Sequence, residues 1–224
     1  MPVVYVVFIL LLVTFGAVVM SLEILSSNLM SPYFGGSIYI WGSIISSFMV
    51  HFSVGYVSGG YLSRRFPRIT VLKVFLLICS LWVIGIPAFY KFICELVSNR
   101  IEDVRFGSLV AMNLIFFVPV SIMAMVSPYI IGITTTWRRP TWLTAGMVLF
   151  VSTVGSFFGT NVTAFYLINL FPVSRIVVGL GLICLCVTLC TLALRPDRRM
   201  AQQASADCRR DGGHPCPEGG PGTA

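Results

Sequence analysis

Residues 3–30 read VVYVVFILLLVTFGAVVMSLEILSSNLM and carry a single formally charged side chain, Glu23. A helix that crosses the hydrocarbon core of a bilayer needs about 20 mostly apolar residues, and this stretch exceeds that length. It has no basic segment before it, and its apolar run is longer than the about 7–15 residues of a secretory signal peptide. The stretch therefore predicts a first membrane-spanning helix rather than a cleaved signal.

Five further segments are long and apolar enough to span a membrane. They are 38–63, 70–92, 107–134, 143–170 and 175–194. Across the 224 residues 57% are apolar and 10% are charged, against about 45–50% and about 25% in soluble globular chains. Nine of the 23 charged side chains lie in the last thirty residues, so the rest could not cover a soluble surface. The sequence predicts an all-α, six-helix transmembrane bundle in a lipid bilayer over residues 1–194. It excludes a soluble enzyme, a disulfide scaffold and a disordered chain.

The Lys and Arg residues of the connections predict the orientation, because cytoplasmic loops carry an excess of both. If six spans alternate, eleven of the fifteen basic side chains face one side of the membrane. Three of them, Arg64, Arg65 and Arg68, form a basic loop between the second and third spans. We expect both termini in the cytoplasm, in a plasma membrane of bacterial type. The same clusters account for the net charge of +7 without nucleic acid as a partner.

Residues 195–224 contain nine Gly or Pro and almost nothing apolar, which predicts a disordered cytoplasmic tail. Cys208, His214 and Cys216 lie in this tail. Closed zinc sites need four well-spaced ligands, so three residues in such a segment do not predict a metal site. We expect no metal and no cofactor.

Two halves of the chain resemble each other, which predicts a repeat of three plus three helices. Ser31-Pro32-Tyr33 closes the first span, as Ser127-Pro128-Tyr129 closes the fourth. The pair Gly55 and Gly59 in the second span matches Gly155 and Gly159 in the fifth. Because three is an odd number, the second copy is inverted, as in many secondary transporters. Small residues four apart let helices approach closely, so these glycines are predicted packing positions; contact with a ligand is the alternative.

Four polar side chains within or beside the spans are candidates for binding a substrate: Glu23, Asn28, Tyr33 and His51. An ionised group at membrane depth is expensive, so Glu23 is either a cation or proton site or a neutral carboxyl bonded to Ser26, Ser27 or another helix. Asn28 is expected to share its polar zone. His51 titrates near neutral pH or only packs between helices. Tyr33 lies in a charge-free link that is either a re-entrant turn or a tight loop with interfacial aromatic anchors.

Catalytic motifs are missing. The sequence has no dinucleotide-binding glycine motif after a strand, no P-loop, no nucleophile elbow and no zinc-binding helix motif. Nothing in it supports catalysis by this chain alone.

Several stretches resemble the membrane domain of spermidine-synthase-like proteins over most of residues 15–195. They are Ser21-Leu22-Glu23-Ile24 through Pro32-Tyr33-Phe34-Gly35, Trp41-Gly42, Gly55-Tyr56, Gly59-Gly60-Tyr61-Leu62, Ser127-Pro128-Tyr129 and Val151–Ser156 with Gly159-Thr160. The loop from Gly60 to Arg68 is similar to the basic loop between helices 2 and 3 of major facilitator transporters, of which six helices would be half.

This resemblance implies two hypotheses. In that family a helical membrane domain typically precedes a cytoplasmic aminopropyltransferase-like domain, which this chain does not contain. The first hypothesis is a non-catalytic membrane module that acts with a cytoplasmic aminopropyltransferase-like partner. The second is a small transporter of polyamines or related cations that works as a homodimer, with Glu23 facing the cation.

Overall fold

The computed structural model describes residues 2–66, 68–135 and 141–193, and in these ranges all regular structure is helical. The six long helices are α1 (Pro2–Phe34), α2 (Ile38–Arg65), α3 (Ile69–Arg100), α4 (Val104–Thr135), α5 (Thr141–Val162) and α6 (Val173–Ala193). After α5 the chain continues through a π-helical turn, Thr163–Leu167, and a short helical segment, Ile168–Leu170. The predicted tail and the basic residues Arg138 and Arg139 lie outside the described residues.

All six helices are long and apolar enough to cross a membrane. The all-α six-helix prediction is therefore confirmed. Helices suit a lipid environment because their backbone groups bond within the segment, where lipid offers no hydrogen-bond partners. The chain is a multi-pass membrane protein.

The link between α1 and α2 is a tight turn of three residues. The helix continues past Pro32 to Phe34, and the amide of Gly35 donates to the Ser31 carbonyl at 2.9 Å. Gly35 has a φ of +83°, a conformation that a residue with a Cβ adopts with difficulty. The alternative of a tight loop is thus the one observed, with Tyr39 and Trp41 exposed in the first turn of α2.

Helix pairing follows a two-fold pattern. The most extensive contacts join α2 to α4 and α1 to α5, followed by α3 to α6. If α1 is exchanged with α4, α2 with α5 and α3 with α6, the α2–α4 pair becomes the α1–α5 pair. The α3–α6 pair is unchanged by the same exchange. Along α2, Gly55 packs on Ser121 and Gly59 on Met125, so α2 and α4 run parallel; α1 and α5 also run parallel. The pairing agrees with the predicted inverted repeat.

The two sequence matches behind that repeat do not share one register. Gly55 packs on Ser121, six residues before Ser127, whereas Gly155 packs on Val13, eighteen residues before Ser31. If the two glycine pairs occupy equivalent positions in the repeat, the two Ser-Pro-Tyr tripeptides do not. The physical reason is that a small residue can lie against the backbone of a neighbouring helix at any depth of a helix pair. Close packing by glycine therefore does not fix one register for the repeat.

Candidate functional site

A stripe of small and polar residues on α2 forms its contact with α4. Its members recur at every fourth position: Ser43, Ser47, His51, Gly55, Gly59 and Ser63, all buried. A methyl group built on Gly55 would lie 2.5 Å from the Ser121 carbonyl oxygen, and one built on Gly59 would lie 2.6 Å from that of Met125. These two glycines therefore lie where the backbones approach most closely, and they do not line the cavities described below.

His51 is fully buried in this stripe and is hydrogen-bonded across the helix pair. Its Nε2 lies 3.0 Å from Oδ1 of Asn113, whose amide nitrogen lies 2.8 Å from the Leu109 carbonyl and 3.3 Å from the Ser47 hydroxyl. Since that nitrogen is the donor of the amide, Oδ1 accepts, and Nε2 of the histidine must carry a proton. The ring also contacts Phe117 edge-on at 5.4 Å between centroids. His51 is thus an interhelical contact and is not among the residues that line the cavity described below.

The seam between α1 and α5 uses hydroxyls and glycines in the same way. Thr163 donates to the Ser21 hydroxyl at 2.8 Å, and Ser21 donates to the Ala17 carbonyl at 2.8 Å. Gly155 and Gly159 lie against the backbone of Val13 and Ala17, where a side chain would overlap. Thr163 begins the π-helical turn, and such turns occur frequently at functional sites.

A cavity of about 80 Å³ lies between α1, α2, α4 and α5. Three serines contribute to its wall, namely Ser127, Ser152 and Ser156. Ser127 bonds Ser152 at 3.4 Å, and Ser156 donates to the Gly16 carbonyl at 3.1 Å. Each hydroxyl also has acceptor capacity to spare. Gly16 lies close to the midpoint of α1, so this polar cavity is deep in the membrane-spanning part of the bundle.

Glu23 lies on the α1 face that lines this cavity. Leu12, Gly16 and Val19 line the cavity and follow one another at intervals of four and three residues. Glu23 comes four residues after Val19, and residues three or four apart lie on the same face of a helix. Side chains of a helix lean toward its N-terminus, which brings the carboxylate toward the turn of Val19 and Met20. The side chain is partly buried, and its carboxylate has no hydrogen-bond or ion-pair partner among the described residues.

The serines that follow Glu23 do not neutralise its carboxyl. Ser26 donates to the Glu23 backbone carbonyl at 2.6 Å, and Ser27 donates to the Ile24 carbonyl at 2.8 Å. Both hydroxyls therefore bond the helix backbone, as serines in membrane helices commonly do. The predicted alternative of a carboxyl bonded to these serines is not what the structure has.

Asn28 and Tyr33 do not line the cavity. Five residues separate Asn28 from Glu23, which places them about 140° apart around an α-helix. Asn28 is exposed, and Tyr33 is half-buried against the hydrophobic core at the end of α1. The structure therefore brings neither together with Glu23, and the four predicted substrate-binding residues do not form one cluster.

The basic loop between α2 and α3 is exposed but fixed. Arg64, Arg65 and Arg68 are all exposed, and the Arg65 guanidinium lies 5.8 Å from the centre of the Phe66 ring. The hydroxyl of Tyr129, which is fully buried in α4, lies 2.6 Å from the Phe66 carbonyl and 2.8 Å from that of Arg68. A buried phenol on one helix thereby holds the backbone of a loop that joins two others.

Lys73 is one of the eleven basic residues on the predicted cytoplasmic side, and it differs from Arg64, Arg65 and Arg68 because it is buried. Its ammonium donates to the Thr191 carbonyl at 2.6 Å. Thr191 lies in the last turn of α6, where carbonyl groups lack helical donors and a cation is favourable. Lys73 therefore joins α3 to the end of α6 rather than facing water.

Among the described residues no group of three His, Cys, Asp or Glu side chains is placed to hold a metal ion. Cys208, His214 and Cys216 lie outside these residues, so the prediction for them is not addressed by the structure.

The sequence interpretation missed four contributors to these contacts. Asn113 and Tyr129 are polar residues inside an apolar span, which was a usable signal, since such residues usually bond across helices. The cavity serines Ser152 and Ser156 gave a weaker signal, because serine is common in membrane helices and mostly bonds its own backbone.

No family model matches the chain, and no curated protein and no solved structure matches it either. The resemblance to spermidine-synthase-like membrane domains therefore stays a prediction.

Proposed function

We propose that this protein binds and transports organic cations through a groove that comprises the serine-lined cavity between α1, α2, α4 and α5 and the adjoining α1 face that carries Glu23. One observation carries the proposal: a serine-lined cavity deep in the bundle lies on the same α1 face as Glu23, an acid without a partner among the described residues. An intramembrane acid is a functional candidate because keeping it in a low-dielectric region is costly. A cation beside Glu23 would offset that cost, and the serine hydroxyls would replace part of the water that the cation loses.

The arrangement of the groove supports a pathway rather than a closed binding pocket. It is bounded by helices from both halves of the two-fold pairing pattern, and in inverted-repeat transporters substrate sites lie near the bilayer midplane between such repeats. Six helices would be half of a major facilitator transporter, so the proposed transporter works as a homodimer.

The test is uptake of a radiolabelled small organic cation, tetramethylammonium, into proteoliposomes that contain the full chain. We expect uptake by the native protein, loss in Glu23→Gln, and substantial retention in Glu23→Asp, which keeps the charge. Glu95→Gln is the matched control, because Glu95 is an exposed acid near the end of α3. Equal uptake by the native protein and Glu23→Gln would refute the role of Glu23.

A second candidate function is a membrane module that docks a soluble aminopropyltransferase-like protein. The exposed Arg64, Arg65 and Arg68 favour it, since they present a basic surface beside the backbone carbonyls of Phe66 and Arg68 that the Tyr129 hydroxyl contacts. If an adjacent reading frame encodes such a protein, we expect the two to co-purify. Replacing the three arginines by alanine would then weaken the complex, and Arg175→Ala, an exposed arginine at the other end of the bundle, would not.

A further inference from the structure

A second cavity continues the groove toward the end of the bundle that carries the N-terminus. It has a volume of about 280 Å³ and lies between α1, α4 and α5. Most of its wall is aliphatic or aromatic, including Phe8, Ile130, Met147 and Val148, and no described charged residue lines it. A cavity of this kind accepts an apolar group and disfavours a charged one.

The two cavities are neighbours along one path. Leu12 lines both, and Val151 of the apolar cavity precedes Ser152 of the polar one. Along α1 the path is apolar from Tyr5 to Leu12 and includes hydroxyls around Gly16, and Glu23 follows. The eighteen residues from Tyr5 to Glu23 span about 27 Å of helix. Polarity therefore rises along the path, from an apolar end to an acid.

This order of polarity restricts the class of substrate that would fit the groove. A membrane lipid places its headgroup at the surface and its tail toward the bilayer centre. The groove has the reverse arrangement, because its apolar cavity lies near a helix terminus and its polar part lies near the middle of α1. A bilayer lipid in its usual orientation would not match it. A polyamine would match poorly too, since its second ammonium would occupy the apolar cavity.

We propose that the substrate is an amphiphilic cation with one ammonium headgroup and one apolar tail. The headgroup lies at Glu23 and the serines, and the tail lies in the cavity of Phe8, Met147 and Val148. Together the two cavities reach the lower end of the size of small-molecule pockets, about 300–1,000 Å³. This inference rests on the proposed function and narrows its substrate class.

The experiment is photo-crosslinking of the full chain in lipid nanodiscs. The probe is a long-chain alkyltrimethylammonium ion with a diazirine at the end of its chain, and the matched neutral probe is the corresponding alcohol. We expect the cationic probe to label the stretches around Tyr5–Leu12 and Met147–Val151. Labelling should fall about tenfold in Glu23→Gln, which corresponds to a loss of about 1.4 kcal/mol, and should persist in Glu23→Asp and Glu95→Gln. The alcohol should label these stretches no more than other lipid-facing residues.

A second variant tests the tail cavity independently of the acid. Val148→Trp fills the cavity, so the tail should no longer label it, whereas Leu149→Trp introduces the same side chain at a position that is 53% exposed. Calorimetric titration with tetramethylammonium, which has no tail, should give the same affinity for Val148→Trp and the native protein.

The outcomes separate the two proposals. If tetramethylammonium binding depends on Glu23 but the tail labels lipid-facing residues such as Phe150, the cation site stands and the amphiphile inference is wrong. If neither binding nor labelling depends on Glu23, the proposed function itself fails.

Discussion

At the residue scale, His51 illustrates how this protein places polar groups inside a membrane bundle. The ring is buried between α2 and α4, one nitrogen bonds Asn113, and the other has no partner among the described residues. Interhelical hydrogen bonds in membranes contribute modestly, on average about 0.6 and at most about 1.7 kcal/mol. The polar residues of this seam therefore fix the register of the pair more than they stabilise it.

A double-mutant cycle between His51 and Asn113 measures that contribution. With His51→Phe, Asn113→Leu and the double variant, we expect a coupling free energy of about 0.6–1.7 kcal/mol in reversible unfolding in mixed micelles. Ser53→Ala serves as the control, because the Ser53 hydroxyl is exposed and bonds only the Met49 carbonyl of its own helix. A coupling near zero would mean that the 3.0 Å contact does not hold the helices together.

Tyr129 gives a second prediction at this scale. Tyr129→Phe removes the hydroxyl that holds the backbone at Phe66 and Arg68, so the amides of this loop should exchange with deuterium faster than in the native protein. The loss in stability should be about 0.5–1.5 kcal/mol, the usual net value of one hydrogen bond. Tyr33→Phe is the matched control from the first tripeptide, since its hydroxyl has no hydrogen bond to the described residues. Equal exchange in both variants would contradict the role of Tyr129.

At the scale of elements, packing between parallel helices depends on where glycine lies. Gly159 touches the backbone of Ala17, whereas Gly146 in the same helix has nothing within 4 Å of an added methyl group. The two glycines look alike in sequence, but only one lies in a seam. Helix association in lipid relies on such close contacts, because burying apolar surface gains little there.

The pair provides a matched experiment on α5. Gly159→Ala should push α1 and α5 apart and lower the free energy of unfolding by about 1–3 kcal/mol, the usual cost of overpacking. Gly146→Ala should be neutral or stabilising by up to about 1 kcal/mol, since alanine favours a helix over glycine. Thermal unfolding of both variants in one detergent compares them directly. A similar effect of the two changes would mean that the α1–α5 seam is looser than the structure indicates.

At the scale of the whole molecule, alternating helices place the two ends of α3 on opposite sides of the membrane. Arg65 precedes α3 and Asn99 lies in its last turn, and both are exposed. The 32 residues of α3 extend over about 48 Å, which exceeds the bilayer core of about 30 Å. In a background without other cysteines, Arg65→Cys and Asn99→Cys should react with an impermeant maleimide from opposite sides of sealed vesicles. Reaction of both from the same side would contradict the six-span topology.

The cytoplasmic placement of both termini is a prediction at the same scale. It rests on eleven basic residues against four, and it assigns the Arg65 side to the cytoplasm. In right-side-out vesicles the label at Asn99→Cys should therefore appear first. Labelling at Arg65→Cys alone would show that the orientation is the opposite of the predicted one, and it would not contradict the helix pairing.

The sequence alone determined that the protein is a six-span helical bundle. That result depends on local properties, namely the length of each apolar stretch and the backbone hydrogen bonds that lipid forces a chain to satisfy internally. It also pointed to Glu23, because a lone acid in an apolar span is conspicuous without any knowledge of its neighbours. The pairing of α1 with α5 could be expected only from the predicted inverted repeat. The two sequence matches behind that repeat, the Ser-Pro-Tyr tripeptides and the glycine pairs, did not agree on one register.

The tertiary structure decided which polar residues share a site. Asn28 and His51 were candidates beside Glu23 in the sequence, yet Asn28 lies on another face of α1 and His51 is enclosed between α2 and α4. The groove is assembled from serines of α4 and α5 that are far from Glu23 along the chain. The physical reason is that lipid is as apolar as most of the side chains, so hydrophobicity cannot select which helix faces meet. Close fit and hydrogen bonds between distant segments make that choice, and both exist only in the folded bundle.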